Sequence, residues 1–466
     1  MVGARFIYAL TGKLSTEALQ TDALGSSCPG LQSWERQTVW QNDKFSLGFA
    51  KYPAYPITLY ETQEFSLFLE GRLYGLSSAQ TQTELLKLAQ LVTAPGGPSP
   101  SLERWLRDTD GDFLIFMFHK NTNTIFIIND SFARLPVYYH GDGRTLTLSR
   151  DLGFILDNSR KTAFDPLALT QYLLFGFPLG KRTLFAGIFA LPPATLITLA
   201  GQGAGLRFAT IFHHNLEELP ASSPSIAVNT ENLVDRFRAA CLNRASLTGE
   251  NVVSLSGGLD SRAVAACLHQ AKIPLAAASF LDHEGVMHKD VQVARQVAAH
   301  LNLPWRTFQL PPPRQKEVNT LLHLKEGANN LEMSFILPFF AGLLKTFGPA
   351  LTYFTGDGGG DTLGESRPYR HLPSLDALLG YLIESYQIFP LEVTASLTGV
   401  PAADLVDSLA GLVQSFPEST PAKKYQHFFC LEVAQKEYNE GEDRNRHYFW
   451  SVSPFYAFPF FEYALG

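Results

Sequence analysis

The sequence predicts an α/β protein of two domains, and three observations carry that reading. The first half of the chain is rich in short strand patterns separated by turn residues. From residue 230 onward, strand patterns alternate with helical ones. Near the start of that second half, one strand stops at a Ser/Gly loop and re-enters as a helix, in the stretch NVVSLSGGLDSRAVAACL at 251–268.

The chain has 466 residues, enough for more than one domain. An apolar content of 45% with 17% charged residues describes a folded globular protein rather than a disordered one. A net charge of −7 offers no basic surface to nucleic acid. No apolar run approaches the length of a membrane span. The N-terminal MVGARFIYAL reads as a strand rather than a signal peptide, so a cytoplasmic location is expected. Cys28, Cys241, Cys267 and Cys430 are widely spaced and form no CxxC pair. Cys267 reads as a small core residue.

The first domain is placed at 1–210. FSLFLEG (65–71), FLIFMF (113–118), TIFII (124–128) and TLTLS (145–149) are alternating or continuously apolar, as strands are. Asp110-Gly111, Asn121-Thr122-Asn123 and Gly141-Asp142-Gly143 mark turns between them. Helices are expected at 82–93 and 166–174, giving packed sheets with helices outside. The weakly patterned, Pro/Ser-rich stretch 205–226 marks the boundary. Within it His213 and His214 would point to opposite faces of an extended chain, and read as linker residues rather than a metal pair.

The second domain is placed at 226–466. A helix at 230–246 leads to strand 251–255, then the Ser/Gly loop and its helix. Strand 274–280 and helix 289–301 follow, the latter with Val291, Ala294, Ala298 and Leu301 on one face. WRTFQL reads as a strand, 320–346 as helical, and 350–354 as a strand that runs into TGDGGGD. Such alternation implies a mostly parallel sheet, with ligands at the carboxyl ends of its strands. Three loops leave such ends: 256–261, 279–284 and 355–361. The stretch from 370 reads as helical to about residue 440. The aromatic run YFWSVSPFYAFPFFEYALG closes the chain as core packing.

Ser256-Gly257-Gly258-Leu259-Asp260-Ser261 is the chemical centre of this reading. Glycines between a strand and a helix let backbone N–H groups approach phosphate oxygens, and the helix N-terminus favours negative charge. The loop has neither the lysine of a Walker A motif nor GxGxxG spacing. Asp260 instead suits Mg²⁺ held on a phosphate. A plain strand-to-helix turn with a serine N-cap is the bland alternative, and the surrounding strand–helix alternation disfavours it. TGDGGGD taken alone is as compatible with a flexible loop as with a cation site. Asp290 reads as a helix-start cap, and Lys325 and Glu332 as solvated or structural.

SGGLDS, then ASF (278–280), then TGDGGGD after a strand, together resemble the synthetase domain of the asparagine synthetase family. The resemblance extends upstream through LFGFPLGKRTLFAGIFALPPATLITL (174–199), NDSFARLPVYYH (129–140), EGRLYG (70–75) and DGDF (110–113). Glu442-x-Arg444 and Ser453-Pro454-Phe455 echo a further family segment. It implies an N-terminal Ntn-hydrolase-like αββα sandwich of the class II amidotransferase type, and a C-terminal PP-loop domain of the adenine nucleotide alpha hydrolase type. It also implies ATP and Mg²⁺, adenylation of a carboxylate with release of pyrophosphate, and attack of an amine to form an amide. By matching position, Ser256, Gly257, Gly258 and Ser261 would hold the pyrophosphate part of ATP and Asp260 the metal. Leu255, Ser279 and Phe280 would line the adenine site, and Thr355 and Gly356 would complete the pocket. Asp357 would stand at the reacting carboxylate as the catalytic residue. An extra glycine in the loop leaves the second metal position open, Asp361 by type or Gly360 by spacing.

Three departures shape the functional expectation. Glutamine-dependent members place a cysteine where this chain has Val2, and Cys28 is no substitute because the mechanism needs a terminal amine beside its own thiol. The asparagine that follows Tyr in the family's Gly-x-x-Tyr-Asn stretch is Gly75 here, which removes an oxyanion donor. Family members continue well past the Pro-Phe segment with a charge-stabilising lysine, whereas no lysine follows Lys436. The expectation is an ATP-dependent amide ligase without glutaminase activity, acting on aspartate or on a peptide or natural-product acid. Its partners would be that acid and either a second copy or a protein of the same biosynthetic cluster, with neither nucleic acid nor membrane. A non-catalytic ATP-binding protein is the alternative. PP-loop tRNA modification or sulfur transfer fits poorly with the acidic charge and unpaired cysteines. Residues 321–340 are expected to border the acid's pocket.

Overall fold

The computed structural model describes residues 2–11, 13–14, 34–94, 97–159, 162–200, 205–219, 225–286, 288–364 and 366–466, and Cys28 lies outside them. The N-terminal part is a sandwich of two six-stranded sheets. One runs, in spatial order, Ile188–Ala190, Tyr138–Gly141, Thr145–Ser149, Gly3–Ala9, Phe45–Lys51 and Glu35–Gln41. The other runs Leu206–Thr210, Thr195–Leu199, Thr124–Asn129, Gly111–His119, Phe65–Leu73 and Ile57–Glu61. Every pairing is antiparallel.

Strand Gly111–His119 shows how the sequence dictates the layers. Side chains alternate across a strand, so its residues divide between two cores. Leu114 and Phe116 face the first sheet and meet Phe6, Leu47 and Phe49. Phe113, Ile115 and Met117 face outward against Leu85 and Leu88 of helix Ser78–Thr93 and against Trp105 and Leu106 of helix Pro100–Asp108. The first of those helices starts four residues before the apolar pattern, because Ser77 and Gln80 form a capping box. On the far side of the first sheet, the short helix Leu152–Asn158 packs Leu152 and Ile155 against Tyr138 and Ile188.

The second part is a five-stranded parallel sheet in the order Trp305–Gln309, Ala276–Leu281, Asn251–Ser254, Thr352–Phe354, Trp450–Val452. The first three strands are laid down outward in one direction and the last two in the other. The order therefore reverses between Asn251–Ser254 and Thr352–Phe354. That reversal opens a crevice at the strands' carboxyl ends. The fifth strand lies within the aromatic run read from sequence as core packing, where three residues flanked by buried aromatics leave no period to detect. The helical stretch expected at 320–346 is interrupted. Helix Gln315–Lys325 ends at Glu326 in the left-handed region (φ 47°), and a 3₁₀ segment, Leu331–Ile336, precedes helix Leu337–Phe347. No described helix is long and apolar enough to cross a membrane.

The two parts meet over a buried ionic layer centred on helix Glu440–Arg446, every residue of which except Gly441 is buried. From the sandwich, Arg134 pairs with Glu442 and Arg150 with Asp443. Arg446 returns to Asp112 at 2.7 Å, and Tyr138 donates to Glu440 at 2.5 Å. Lys325 pairs with Asp443 and, at 2.7 Å, with Glu440. Lys325 is thus structural, as expected, while Glu332 is exposed. Burial acts to raise the Asp443 carboxyl, but the Arg150 and Lys325 charges overcome it and hold the group below its ordinary range.

Candidate functional site

The crevice at the sheet's reversal is a cavity of about 540 Å³. One wall is the loop that follows Asn251–Ser254. Ser256, Gly258, Asp260 and Ser261 line it. Ser256 Oγ accepts from Gly258 N at 3.1 Å and shares a hydrogen bond with Ser261 Oγ at 2.9 Å, and Ser261 Oγ accepts from Ser256 N at 3.0 Å. The loop is thereby tied to itself before any ligand arrives. Gly258 stands at the N-cap of helix Leu259–Gln270 without a side-chain cap, so first-turn N–H groups remain for an anion.

The opposite wall is the loop after Thr352–Phe354, with Thr355, Gly356 and Asp357 on the cavity. The two loops interlock. A Cβ on Gly356 would stand 2.8 Å from Ser261 N, and one on Gly359 would stand 2.2 Å from Asp260 Cγ. Gly358 has φ +87°, and a Cβ there would lie 2.6 Å from the Tyr456 ring. Each of these glycines is required by a close approach. On the other side of the first loop, Asp290 Oδ1 would be 2.5 Å from a Cβ on Gly257. Asp290, read as a cap, sits in the first turn of helix His288–His300 with its carboxylate against the Ser/Gly loop.

Not every expected residue lines the cavity. Phe280 does, whereas Leu255 and Ser279 are buried behind it. Ser279 Oγ donates to Leu255 O at 2.6 Å and accepts from Trp305 Nε1 at 3.0 Å, tying three strands together below the site. Asp361 is buried on the short helix Gly359–Leu363, where its Oδ2 accepts from Tyr456 OH at 3.1 Å. Among the described residues there is no group of three or more His, Cys, Asp or Glu placed to hold a metal. Mg²⁺ needs less than that from a protein when phosphates and water supply the other ligands; of the two expected donors Asp260 lines the cavity, whereas Asp361 does not.

The third wall was only partly legible. Ala328, Asn329, Asn330, Met333, Ile336 and Phe340 come from the stretch expected to border the acid's pocket. Lys436, Glu437, Tyr438, Gly441, Arg444 and Asn445 come from a long helical stretch whose middle is π-helical, at Phe428–Val433 and Gln435–Asn439. Wide π turns shift the helical phase, which an α-helical reading of the sequence does not anticipate. Lys436, beyond which the sequence shows no further lysine, itself lies on the cavity wall and donates to Gly180 O at 2.5 Å.

Charge in this cavity is strongly conditioned by burial. Burial pushes the Asp357 carboxyl up, against the lowering influence of the Thr355 hydroxyl and of the Arg134 and Arg444 charges. Asp357 O also accepts from Ser453 Oγ at 2.5 Å. Burial lowers Arg444 to about 10. Its guanidinium donates to Asn329 Oδ1 and Asn445 Oδ1, each at 3.0 Å, with no carboxylate at ion-pair distance among the described residues.

Val2 is buried. Gly75 has φ +73°, and the Asn243 side chain occupies the space a Cβ would need, 2.9 Å away. Beside it Arg244 grips Asp110 through two 2.7 Å bonds. His214, read as a linker residue, is instead half-buried, stacked 5.2 Å from Phe132, with Nε2 2.7 Å from Ser131 O, while His213 is exposed. Strand Leu206–Thr210 and the residues after it belong to the sandwich edge, where Ile211, Phe212 and Leu216 enter a core and His214 packs against Phe132 beside it.

Two family models match the chain: a glutamine amidotransferase domain over residues 99–208 and asparagine synthase over 232–399. No curated protein matches. Among solved structures, an allosteric regulatory enzyme of purine biosynthesis aligns at 11% identity over 67% of this chain and 75% of its own, TM-score 0.25. NMN synthetase from Francisella tularensis aligns at 17% over 46% and 96%, TM-score 0.23. Glutamine phosphoribosylpyrophosphate amidotransferase from B. subtilis, complexed with ADP and GMP, aligns at 10% over 92% and 90%, TM-score 0.25.

Proposed function

We propose, from the premise that this chain belongs to the asparagine synthetase family, that it is an ATP-dependent carbon–nitrogen ligase that does not hydrolyse glutamine. It adenylates a carboxylic acid, releases pyrophosphate and AMP, and passes the acyl group to an amine. The observation that carries the reading is the interlock of the 256–261 and 355–361 loops across the sheet's reversal point, with Asp260 against Gly359. That is where an α/β sheet binds its ligand.

The residues divide the work. The Ser256–Ser261 loop and its helix N-terminus hold the phosphates. Asp260 and Asp361 would hold Mg²⁺, which would withdraw charge from the phosphate oxygens. Phe280, with Met333 and Ile336, supplies the apolar surface for the base. Leu255 and Ser279 set the position of that surface from below. Asp357, with Thr355 and Gly356, faces the reacting carboxylate, and the cations of Lys436 and Arg444 stand across the cavity. Both can offset negative charge that builds on the phosphate during transfer. The acid is small or peptidic, and the enzyme works in the cytoplasm, alone or beside a cluster partner.

Loss of the glutaminase is supported by Val2 and by Gly75, where Asn243 crowds the space a side chain would need. The amine then comes from solution or from the acid itself. ATP–pyrophosphate exchange with a panel of amino acids, dicarboxylates and peptides tests the reading. Exchange with at least one acid is expected. ATP bound with silence across the panel would favour the non-catalytic alternative, and the turning of Asp361 toward Tyr456 is the observation on its side.

A further inference from the structure

We propose that Arg134, a residue of the N-terminal sandwich, is a positioning residue for the nucleotide site of the other domain. It acts through Tyr456 on the 355–361 loop. The inference rests on reading that loop as part of the ATP site.

Arg134 leaves a turn that is rigid for stated reasons. Asp130 Oδ1 accepts from Phe132 N at 2.9 Å and from Arg134 N at 3.1 Å, and Asp130 Oδ2 accepts from Phe113 N at 3.1 Å. The Arg134 backbone carbonyl accepts from Arg446 Nη1 at 2.5 Å. The guanidinium pairs with Glu442 and donates to Asn439, so its charge is compensated and its plane fixed.

That plane lies 4.3 Å from the centre of the Tyr456 ring, and the Phe132 ring meets Tyr456 edge-on at 5.9 Å. Tyr456 is buried beside Tyr438 and Phe461, and its hydroxyl and ring edge both reach the loop. Its hydroxyl donates to Asp361 Oδ2 at 3.1 Å, and its ring edge sits where a Cβ on Gly358 would stand 2.6 Å away. Gly359, next along, abuts Asp260. A continuous chain of fixed contacts therefore runs from the sandwich turn to the Ser/Gly loop. Cation–π and buried hydrogen bonds of this kind are strongest where water is excluded, as here. With no glutamine chemistry to perform, the sandwich acts as the buttress that sets the loop's position.

The test compares four variants of the full-length protein. Tyr456→Phe removes the hydroxyl that reaches Asp361, and Arg134→Met removes the cation over the ring together with its bonds to Glu442 and Asn439. Arg134→Lys keeps a cation over the ring. Arg244→Met breaks a different buried ion pair between the domains, the one with Asp110, without touching Tyr456. Amide hydrogen exchange at 355–362 is read without nucleotide, and ATP·Mg²⁺ affinity is read by calorimetry. Loss of one buried hydrogen bond to a charged group corresponds to about a tenfold effect. Exchange in the loop is expected to speed up about tenfold in Arg134→Met and Tyr456→Phe, with about tenfold weaker ATP binding. Arg134→Lys should recover most of both. Arg244→Met should lower the melting temperature while leaving loop exchange and ATP affinity unchanged. Equal loop exchange in wild type, Arg134→Met and Tyr456→Phe, or an equal effect of Arg244→Met, would overturn the proposal. If wild type binds no ATP, the reading of the site fails, and the exchange data still decide whether Arg134 sets the loop. If Arg134→Met does not fold, Tyr456→Phe and Arg134→Lys decide it.

Discussion

Asp260 and Gly359 approach so closely that a single methyl group on the glycine would stand 2.2 Å from the Asp260 carboxyl carbon. The two loops of the site therefore share one boundary, and neither can shift without the other. In Gly359→Ala the Asp260 carboxylate must move off its present position. The expected outcome is ATP·Mg²⁺ binding weakened by at least about tenfold, with the overall fold retained. Calorimetric titration alongside circular dichroism checks it, and unchanged affinity would mean that the interlock does not matter to the ligand.

Gly75 faces the same kind of limit from Asn243. Putting back the family's asparagine, Gly75→Asn, should not bring back glutamine hydrolysis. It should destabilise the protein by about 1–3 kcal/mol through overpacking. Asn243→Ala in the same chain should relieve most of that loss, since the two sites are in contact and their effects should not add. Thermal melts of the single and double variants provide the measurement. A Gly75→Asn protein as stable as wild type would refute the packing argument.

Asp357 carries a carboxyl that burial holds above its ordinary range. Keeping such a group at a site works against stability. Asp357→Asn should lower pyrophosphate exchange by about 100-fold or more while leaving the melting temperature equal or higher. A variant that keeps its exchange rate would remove Asp357 from the reaction.

His214 gives a pH prediction whose sign can be worked out. Burial lowers it to about 4 in the folded protein, with the nearby His427 and Arg107 charges adding to the effect. Above the unfolded value of about 6.5 neither state is charged, so there is no contribution. As pH falls from there toward 4, the unfolded chain takes up a proton that the folded one refuses, and stability is lost. The loss reaches about 3 kcal/mol and then levels off. His214→Gln, which can still donate to Ser131 O, should lose about that much less between pH 7 and pH 4 than wild type. Denaturant titrations of both proteins across that range settle it, and parallel curves would show that His214 does not titrate as burial requires.

Much of this architecture was legible because its periods were clean. Leu114, Ile115, Phe116 and Met117 alternate between two cores, and SGGLDS leads from a parallel strand into the first turn of its helix. What escaped had no local signature. Trp450–Val452 is three residues of sheet inside an aromatic run. Lys436 and Arg444 reach the cavity from a helix whose π turns shift its phase. His214 looked like a linker because its burial comes from Phe132 and Phe458, far away in the chain. Ser279, expected from sequence to line the adenine site, is instead buried behind the cavity, where its hydroxyl donates to Leu255 O.

The fifth strand and the ionic helix before it have a consequence for how the protein is made. Trp450–Val452 pairs with Thr352–Phe354, and Arg446 reaches back to Asp112 near the start of the chain. The sandwich can close on itself while synthesis is still under way, with Asp112 held by Tyr74 and Arg150 near Glu70, but the pairings of Arg134 with Glu442, Arg150 with Asp443 and Asp112 with Arg446 wait until helix Glu440–Arg446 emerges. Contacts this distant in sequence form slowly. During that interval the nascent chain carries an incomplete ionic layer and an open sheet edge, the stage at which chaperones and proteases act on larger proteins.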